Sequence, residues 1–274
     1  MDSREICAFA NLKGQNLKEH ALDGLDLEGI NLSHANLSSA NLSNCNLAGA
    51  NLSGAILRGT DLTAANLEDA ALIKADLRNA KCLRASFLCA DLQESKMDSS
   101  ILNESDLRFA NFSNAKMRHC LLISSKFFGT NLKDADLNRA NLTDAVLVNA
   151  DLTNVNFFGA ILDRANLRGA KIEGAIFENA SMKNTQFDEP LSRHRSTANL
   201  AEAMGVIGTT GRKVYEICKD LNLTENEVIT LGKKLGIDIK HRNSIVSKSD
   251  EDQIFAHAEV LWLKNEWKPE NFSK

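Results

Sequence analysis

No stretch of about eighteen apolar residues occurs in this 274-residue chain, which excludes a membrane-spanning helix. The opening segment, MDSREICAFA, lacks a basic stretch followed by an apolar run, so a soluble cytoplasmic protein is expected. Charge of one sign is also lacking. Acidic residues exceed basic ones by 24 to 19 over residues 1–190, and basic exceed acidic by 13 to 12 over 191–274. Neither half is a polyelectrolyte of the kind that advertises nucleic-acid binding or strong DNA mimicry. No two of the six cysteines have metal-ligand spacing, and a reduced compartment follows. There is no nucleophile elbow, no phosphate-binding glycine loop and no paired histidine and carboxylate, so the chain is expected to be no enzyme and to need no cofactor or metal.

What the chain does have is a rhythm. From Leu12 to Phe187 every fifth residue is apolar, and these thirty-six positions read 25 Leu, 6 Phe, 3 Met, one Ile and one Cys. Two places before each lies a second comb, Ala in 22 of 36 positions. Cys45 and Cys120 fall on the small comb and Cys82 on the large one, while Cys7, Cys89 and Cys218 are scattered. A helix needs apolar spacing near 3.6 and a strand needs 2, so a sustained spacing of five fits neither, and the chain must turn at every unit. If the large residue (position i) and the small one at i−2 both point inward, the other three residues face solvent and carry the corner. Ser, Asn, Asp and Gly crowd those corners, as at Gly14, Gly24, Gly29, Gly49, Gly54 and Gly59, where tight turns tolerate them.

The units ANLSSANLSNCNLAGANLSGA at 35–55 and ADLNRANLTDAVLVNADLTNV at 135–155 closely resemble the pentapeptide-repeat family. That resemblance implies a mainly β fold, a right-handed quadrilateral parallel β-helix with four repeats to a coil; a small α-helical domain is expected to follow it. It would give about nine coils and a rod roughly 43 Å long at the spacing of hydrogen-bonded strands, similar in form to a short piece of duplex. The expected domains are an N-terminal cap at 1–10, the β-helix at 11–189, a linker and C-terminal cap at 190–211 beginning near Pro190, and a helical module at 212–274. Both ends of an open solenoid need covering, and Leu200, Met204, Val206 and Ile207 are placed to cover the last coil. Gln15, His20, Leu25 and Ile30 put four bulky residues on the small comb, so the entrance coil is expected to be wider or irregular and to plug its end. His20 reads as a capping or core histidine, or else as a ligand.

Residues twenty apart stack on one face, so outward apolar residues can be sorted by arithmetic. Leu83, Ile101, Leu121 and Ile123 fall on one face, and Leu88, Phe109, Phe128, Val146 and Val148 on the next. Such a patch reads as a docking surface for another protein or for a second copy. The alternatives are that the C-terminal domain folds over it, or that these residues merely fill corners. Asp61, Asp76, Asp91, Asp106, Asp136 and Asp151 occupy the family's ordinary Asn/Asp position, read as solvated turn residues. Some family members resemble duplex DNA in size and charge and protect type II topoisomerases. Here Lys74, Arg78, Lys81, Arg84, Lys116, Arg118 and Lys126 interrupt the acidic stripe, and the array has no register break from which a loop could project. A non-catalytic interaction scaffold is therefore the first reading and the DNA mimic the second.

After residue 211 the apolar spacing becomes helical, with Val214, Ile217, Cys218 and Leu221 on one face. Thr224-Glu225-Asn226-Glu227 is a capping box opening a helix through about Leu235, closed by Gly236. Ile237-Asp238-Ile239 reads as a short extended piece, and Ser249-Asp250-Glu251-Asp252 begins a third helix through about Trp267. The run at 213–254, with V-Y-E-I-x-K-x-L, L-T-x-N-E-V-I and K-x-L-G-I-x-I-K before a polar loop, resembles the small N-terminal module of the bacterial translation initiation factor that delivers initiator tRNA. Residues 214–235 also permit a helix-turn-helix, turning at Asn222-Leu223-Thr224. Lys233, Lys234, Lys240, His241 and Arg242 could touch phosphate, which would make the chain a nucleic-acid adaptor. They could equally be a solvated helix end, where lysine is favoured.

Overall fold

The computed structural model describes residues 6–187, 212–213, 217, 225–237, 245–246 and 253–254. The chain divides into two compact units, Met1–Gly205 and Val206–Lys274. The expected linker at 190–211, with Leu200, Met204, Val206 and Ile207, lies outside the described residues.

In the first unit every large-comb residue from Leu12 to Met182 is buried, and Phe187 packs on the core partly covered. The pentad therefore does what its chemistry demands, with both combs turned inward beyond the entrance coil. Parallel pairings join residues twenty apart from Asn11↔Asn31 through Asn166↔Gln186 without a break. Four pentads thus close one turn of the coil. Backbone hydrogen bonds cross between coils, as Leu32 N–H to Asn51 O at 2.8 Å, His34 N–H to Ser53 O at 2.9 Å and Asn31 N–H to Ala10 O at 2.9 Å.

Each corner closes when the residue after the turn donates to the carbonyl at i, as Ala35 N–H to Leu32 O at 3.0 Å. The residue at i+2 lies at positive φ in every pentad from Phe9 to Asn184, and 26 of these residues are not glycine. A left-handed second central residue is the mark of a type II turn. The Asn/Asp position at i−1 accounts for one further backbone group. Its side-chain oxygen accepts the N–H at i+1, as Asn31 Oδ1 from Ser33 N–H at 3.1 Å and Asp61 Oδ1 from Thr63 N–H at 3.0 Å. Where Asn or Asp holds this position it forms an Asx turn that satisfies a donor at its corner, rather than being merely a solvated side chain. Stacked amides then bond one another, Asn66 Nδ2 to Asn46 Oδ1 at 3.2 Å and Asn131 Nδ2 to Asn111 Oδ1 at 3.0 Å.

The entrance coil differs from the expectation. It keeps the same turns and pairings as the rest and is not irregular. Ile30 is buried, His20 and Leu25 are half-buried, and Gln15 is exposed. Among the described residues no coil pairs below Gln15, His20 and Leu25, which leaves room there for bulky side chains. His20 Nδ1 lies 3.1 Å from the Lys18 carbonyl. Ile6 is buried, and Phe9 donates its N–H to Glu28 O at 2.8 Å, so the described part of the expected cap extends one face of the rod.

In the second unit a helix, α1, runs Glu225–Lys234, burying Val228 and Leu231. It ends as expected at Gly236, φ 77°. Ile237 N–H bonds Gly232 O at 2.8 Å and Gly236 N–H bonds Lys233 O at 3.1 Å, the two bonds of a Schellman ending. Ile217 lies in a helical segment and is buried, as is Ile254; the rest of the first and third expected helices, with Thr224 and residues 238–239, lies outside the described residues. The unit is not purely helical. Two short strands, β1 at Arg212–Lys213 and β2 at Ile245–Val246, pair antiparallel. Ile and Val are strong strand formers, and here they sit within what reads from sequence as a polar loop.

Candidate interaction surfaces

Pairing at twenty-residue spacing gives the rod four long faces, and outward residues stack on each in columns. Ile101 pairs directly with Leu121, so these two form a continuous apolar column, with Ile123 half-buried beside it. Leu121 is exposed by 39%, and on the neighbouring face Phe109, Phe128 and Val146 are exposed by 54%, 37% and 38%. The Phe109 and Phe128 rings meet edge to face with centroids 5.4 Å apart, a favoured aromatic geometry. Val148 is half-buried in the coil above Phe128, and the Val148 carbonyl accepts the Gly129 N–H at 3.0 Å.

Two members expected in the patch stand apart from this cluster. Leu88 is separated from Phe128 by Arg108 in the same column, whose guanidinium is held by Asp106 at 2.6 Å. Leu83 is separated from Ile123 by Asn103, whose Oδ1 accepts the Ile123 N–H at 3.0 Å. Both leucines are half-buried. Sequence reasoning passed over Phe9, Ile56, Ile161 and Ile176, which are also exposed. The three isoleucines replace Asn or Asp at the ladder position, and that substitution was the available signal. Lys233 and Lys234 are exposed in the last turn of α1; Lys240, His241 and Arg242 lie outside the described residues.

Charges on the rod are knitted across coils. Asp76 receives Arg58 Nε at 2.7 Å and Arg78 Nη2 at 2.8 Å. Burial alone would raise the Asp76 carboxyl, but the hydrogen bonds from Arg78 and Arg58 outweigh it and hold the pKa down to about 2. Arg118 bonds Asp98 at 2.8 Å, and Arg84 bonds Glu104 at 2.8 Å. Lysines stand within the carboxylate columns, in the pairings Asp61↔Lys81, Asp76↔Lys96 and Asp106↔Lys126. Cys45, Cys82 and Cys120 are buried free thiols. Burial pushes Cys120 up to about 12, far from the reactive thiolate range. Among the described residues no cluster of ligand side chains could hold a metal ion, and no helix is long and apolar enough to cross a membrane.

A four-sided coil of tandem five-residue units defines the class. The chain belongs to the pentapeptide-repeat family: the family model for pentapeptide repeats matches in eight copies, in stretches from 6–47 to 160–189. Its rod is accordingly a right-handed quadrilateral β-helix. Among solved structures it is similar to HetL, a pentapeptide-repeat protein involved in heterocyst differentiation regulation in the cyanobacterium Nostoc sp. strain PCC 7120. The identity is 30%, over 66% of this chain and 91% of that one, with a TM-score of 0.49. It is also similar to alr5209 from the same Nostoc strain, at 33% identity over 34% of this chain and 79% of that one, TM-score 0.32. A third is QnrB1, a plasmid-mediated fluoroquinolone resistance protein, at 17% identity over 67% and 92%, TM-score 0.44. No curated protein matches the chain.

Proposed function

We propose that the chain is a non-catalytic scaffold that grips a partner protein through the apolar cluster of Ile101, Phe109, Leu121, Ile123, Phe128, Val146 and Val148. The observation that carries this reading is the concentration of large exposed apolar side chains on two adjacent faces of a hydrogen-bonded rod. Elsewhere on the rod many of the same positions hold Asn ladders and ion pairs, and Ile56, Ile161 and Ile176 are exposed there outside the cluster. A backbone pinned between coils holds the cluster without further ordering, which favours binding. Paired aromatics are the kind of anchor that dominates protein interfaces. The second unit supplies a further recognition surface, with Lys233 and Lys234 at the exposed end of α1.

Affinity capture from native extract with wild type and with Phe128→Asp tests the reading, run beside light scattering to register self-association. Wild type is expected to retain a defined partner, or a second copy, that the variant loses while still unfolding in one cooperative transition. An identical set of captured proteins and an identical mass for both would sink it.

A further inference from the structure

The rod also sorts its charge by face. Outward positions from Asn11 to Gln186 carry four basic and five acidic residues on the face containing Lys13, four and five on that containing Leu121, and three and five on that containing Phe128. The remaining face, opposite the one that holds Phe128, carries seven basic residues against five. It alone is net positive, on a chain whose net charge is −4. Its excess is concentrated between Arg58 and Arg139, where Arg58, Arg78, Lys96, Lys116, Arg118 and Arg139 face only Asp76, Asp98 and Asp136.

Ion pairing leaves this excess where it can be used. Asp76 is shared by Arg58 and Arg78, while Arg118 bonds Asp98 and reaches to 3.9 Å from Asp136. All three carboxylates are thereby engaged by arginine. Lys96 and Lys116 pair as neighbours in one column, both exposed and, among the described residues, neither in an ion pair. Their backbones are about 4.8 Å apart. Like charges directly opposed in a sheet are destabilising, whereas several ladder positions elsewhere hold amides that bond along the column, as Asn66 to Asn46 and Asn131 to Asn111. The rod therefore keeps a repulsive lysine pair at the centre of its only basic face.

We propose that this face binds an extended acidic segment of a protein, whose carboxylates bridge Lys96 and Lys116 and take up the unspent charge of the flanking arginines. Arg58 to Arg139 spans four coil steps, roughly 19 Å, which matches about six residues of extended chain at ~3.3 Å each. A duplex is a poorer fit, because tight phosphate binding draws on many uncompensated cations and here the three carboxylates halve the excess. The inference stands apart from the apolar cluster, which lies on other faces.

The test is anisotropy of a fluorescein-labelled decaglutamate peptide with the full chain at about 50 mM salt, where surface charges are weakly screened. Saturable binding is expected, weakened at least tenfold at about 500 mM salt. Lys96→Gln with Lys116→Gln should weaken it at least fivefold while leaving the melting temperature equal or higher, since a repulsion is removed. Lys13→Gln with Lys133→Gln, the same change of net charge on another face, should leave it unchanged, as should Phe128→Asp. Equal loss in both double variants, absence of saturable binding, or tighter binding of a DNA oligonucleotide of equal charge would each overturn the proposal.

Discussion

The ring of Phe109 covers Gly129 so closely that a Cβ there would stand 2.8 Å from Phe109 Cδ1. Gly129 also lies at φ +65°, so one residue serves both the turn and the seat of an aromatic ring. Gly14 shares the backbone conformation, φ +68°, but has nothing within 4 Å of its missing Cβ. Gly14→Ala should therefore cost only the left-handed penalty, about 1–2 kcal/mol. Gly129→Ala should cost more, because Phe109 must leave its edge contact with Phe128. Paired chemical denaturation curves decide the point, and equal losses would show that the ring gives way freely.

Ala64 carries the opposite lesson. It sits exposed at φ 55°, a conformation that costs an L-residue about 1–2 kcal/mol. Glycine relieves that strain but loses about 0.5–1 kcal/mol to unfolded-state freedom. Ala64→Gly should thus stabilise the rod by about 0.5–1 kcal/mol, read as a rise in thermal midpoint. A fall would mean that the stacked coils themselves hold the turn without strain.

The rod was legible because burial acts on it at one fixed interval: Leu107, Leu132 and Leu152, read as inward from spacing alone, are all fully buried. Less legible were features set by neighbours in the next coil. The hydrogen-bonding role of Asp61 needs the direction of the Thr63 N–H, which periodicity does not state. The exposed pair Phe109 and Phe128 emerged from twenty-residue arithmetic, yet the interruptions by Arg108 and Asn103 lay in the same columns and were passed over. Counting charge by column would have revealed the basic face from the sequence; counting it over whole segments averaged it away. In the second unit the β1–β2 pairing joins residues 212–213 to 245–246, a long-range contact that local propensity does not reveal.

Ser95 and Ser100 are neighbours on the small comb with opposite expected effects. Ser95 Oγ is buried and has no hydrogen-bond partner, whereas Ser100 Oγ lies 2.7 Å from Leu77 O and 2.6 Å from Met97 O. An unsatisfied buried hydroxyl costs about 1–3 kcal/mol, and a satisfied one contributes about 1 kcal/mol. Ser95→Ala should raise stability and Ser100→Ala should lower it, each by about 1 kcal/mol. The same sign in both would contradict this account of the core.

Asp76 makes the rod acid-sensitive in a defined window. Burial would raise its pKa from the ordinary 3.8, but the hydrogen bonds from Arg78 and Arg58 bring it to about 2. A carboxyl whose folded pKa is depressed contributes stability above its unfolded value, and that share disappears as pH falls through the folded value. The share is on the order of 2 kcal/mol, and its side chain is only 13% exposed, so screening removes little of it. Asp76→Asn should therefore be markedly less stable than wild type at neutral pH. The gap should hold down to about pH 4 and then narrow as the wild-type carboxyl protonates toward pH 2. Denaturant melts of both proteins across that range provide the measurement, and a gap that stayed constant down to pH 2 would mean the Arg58–Asp76–Arg78 cluster contributes through packing rather than charge.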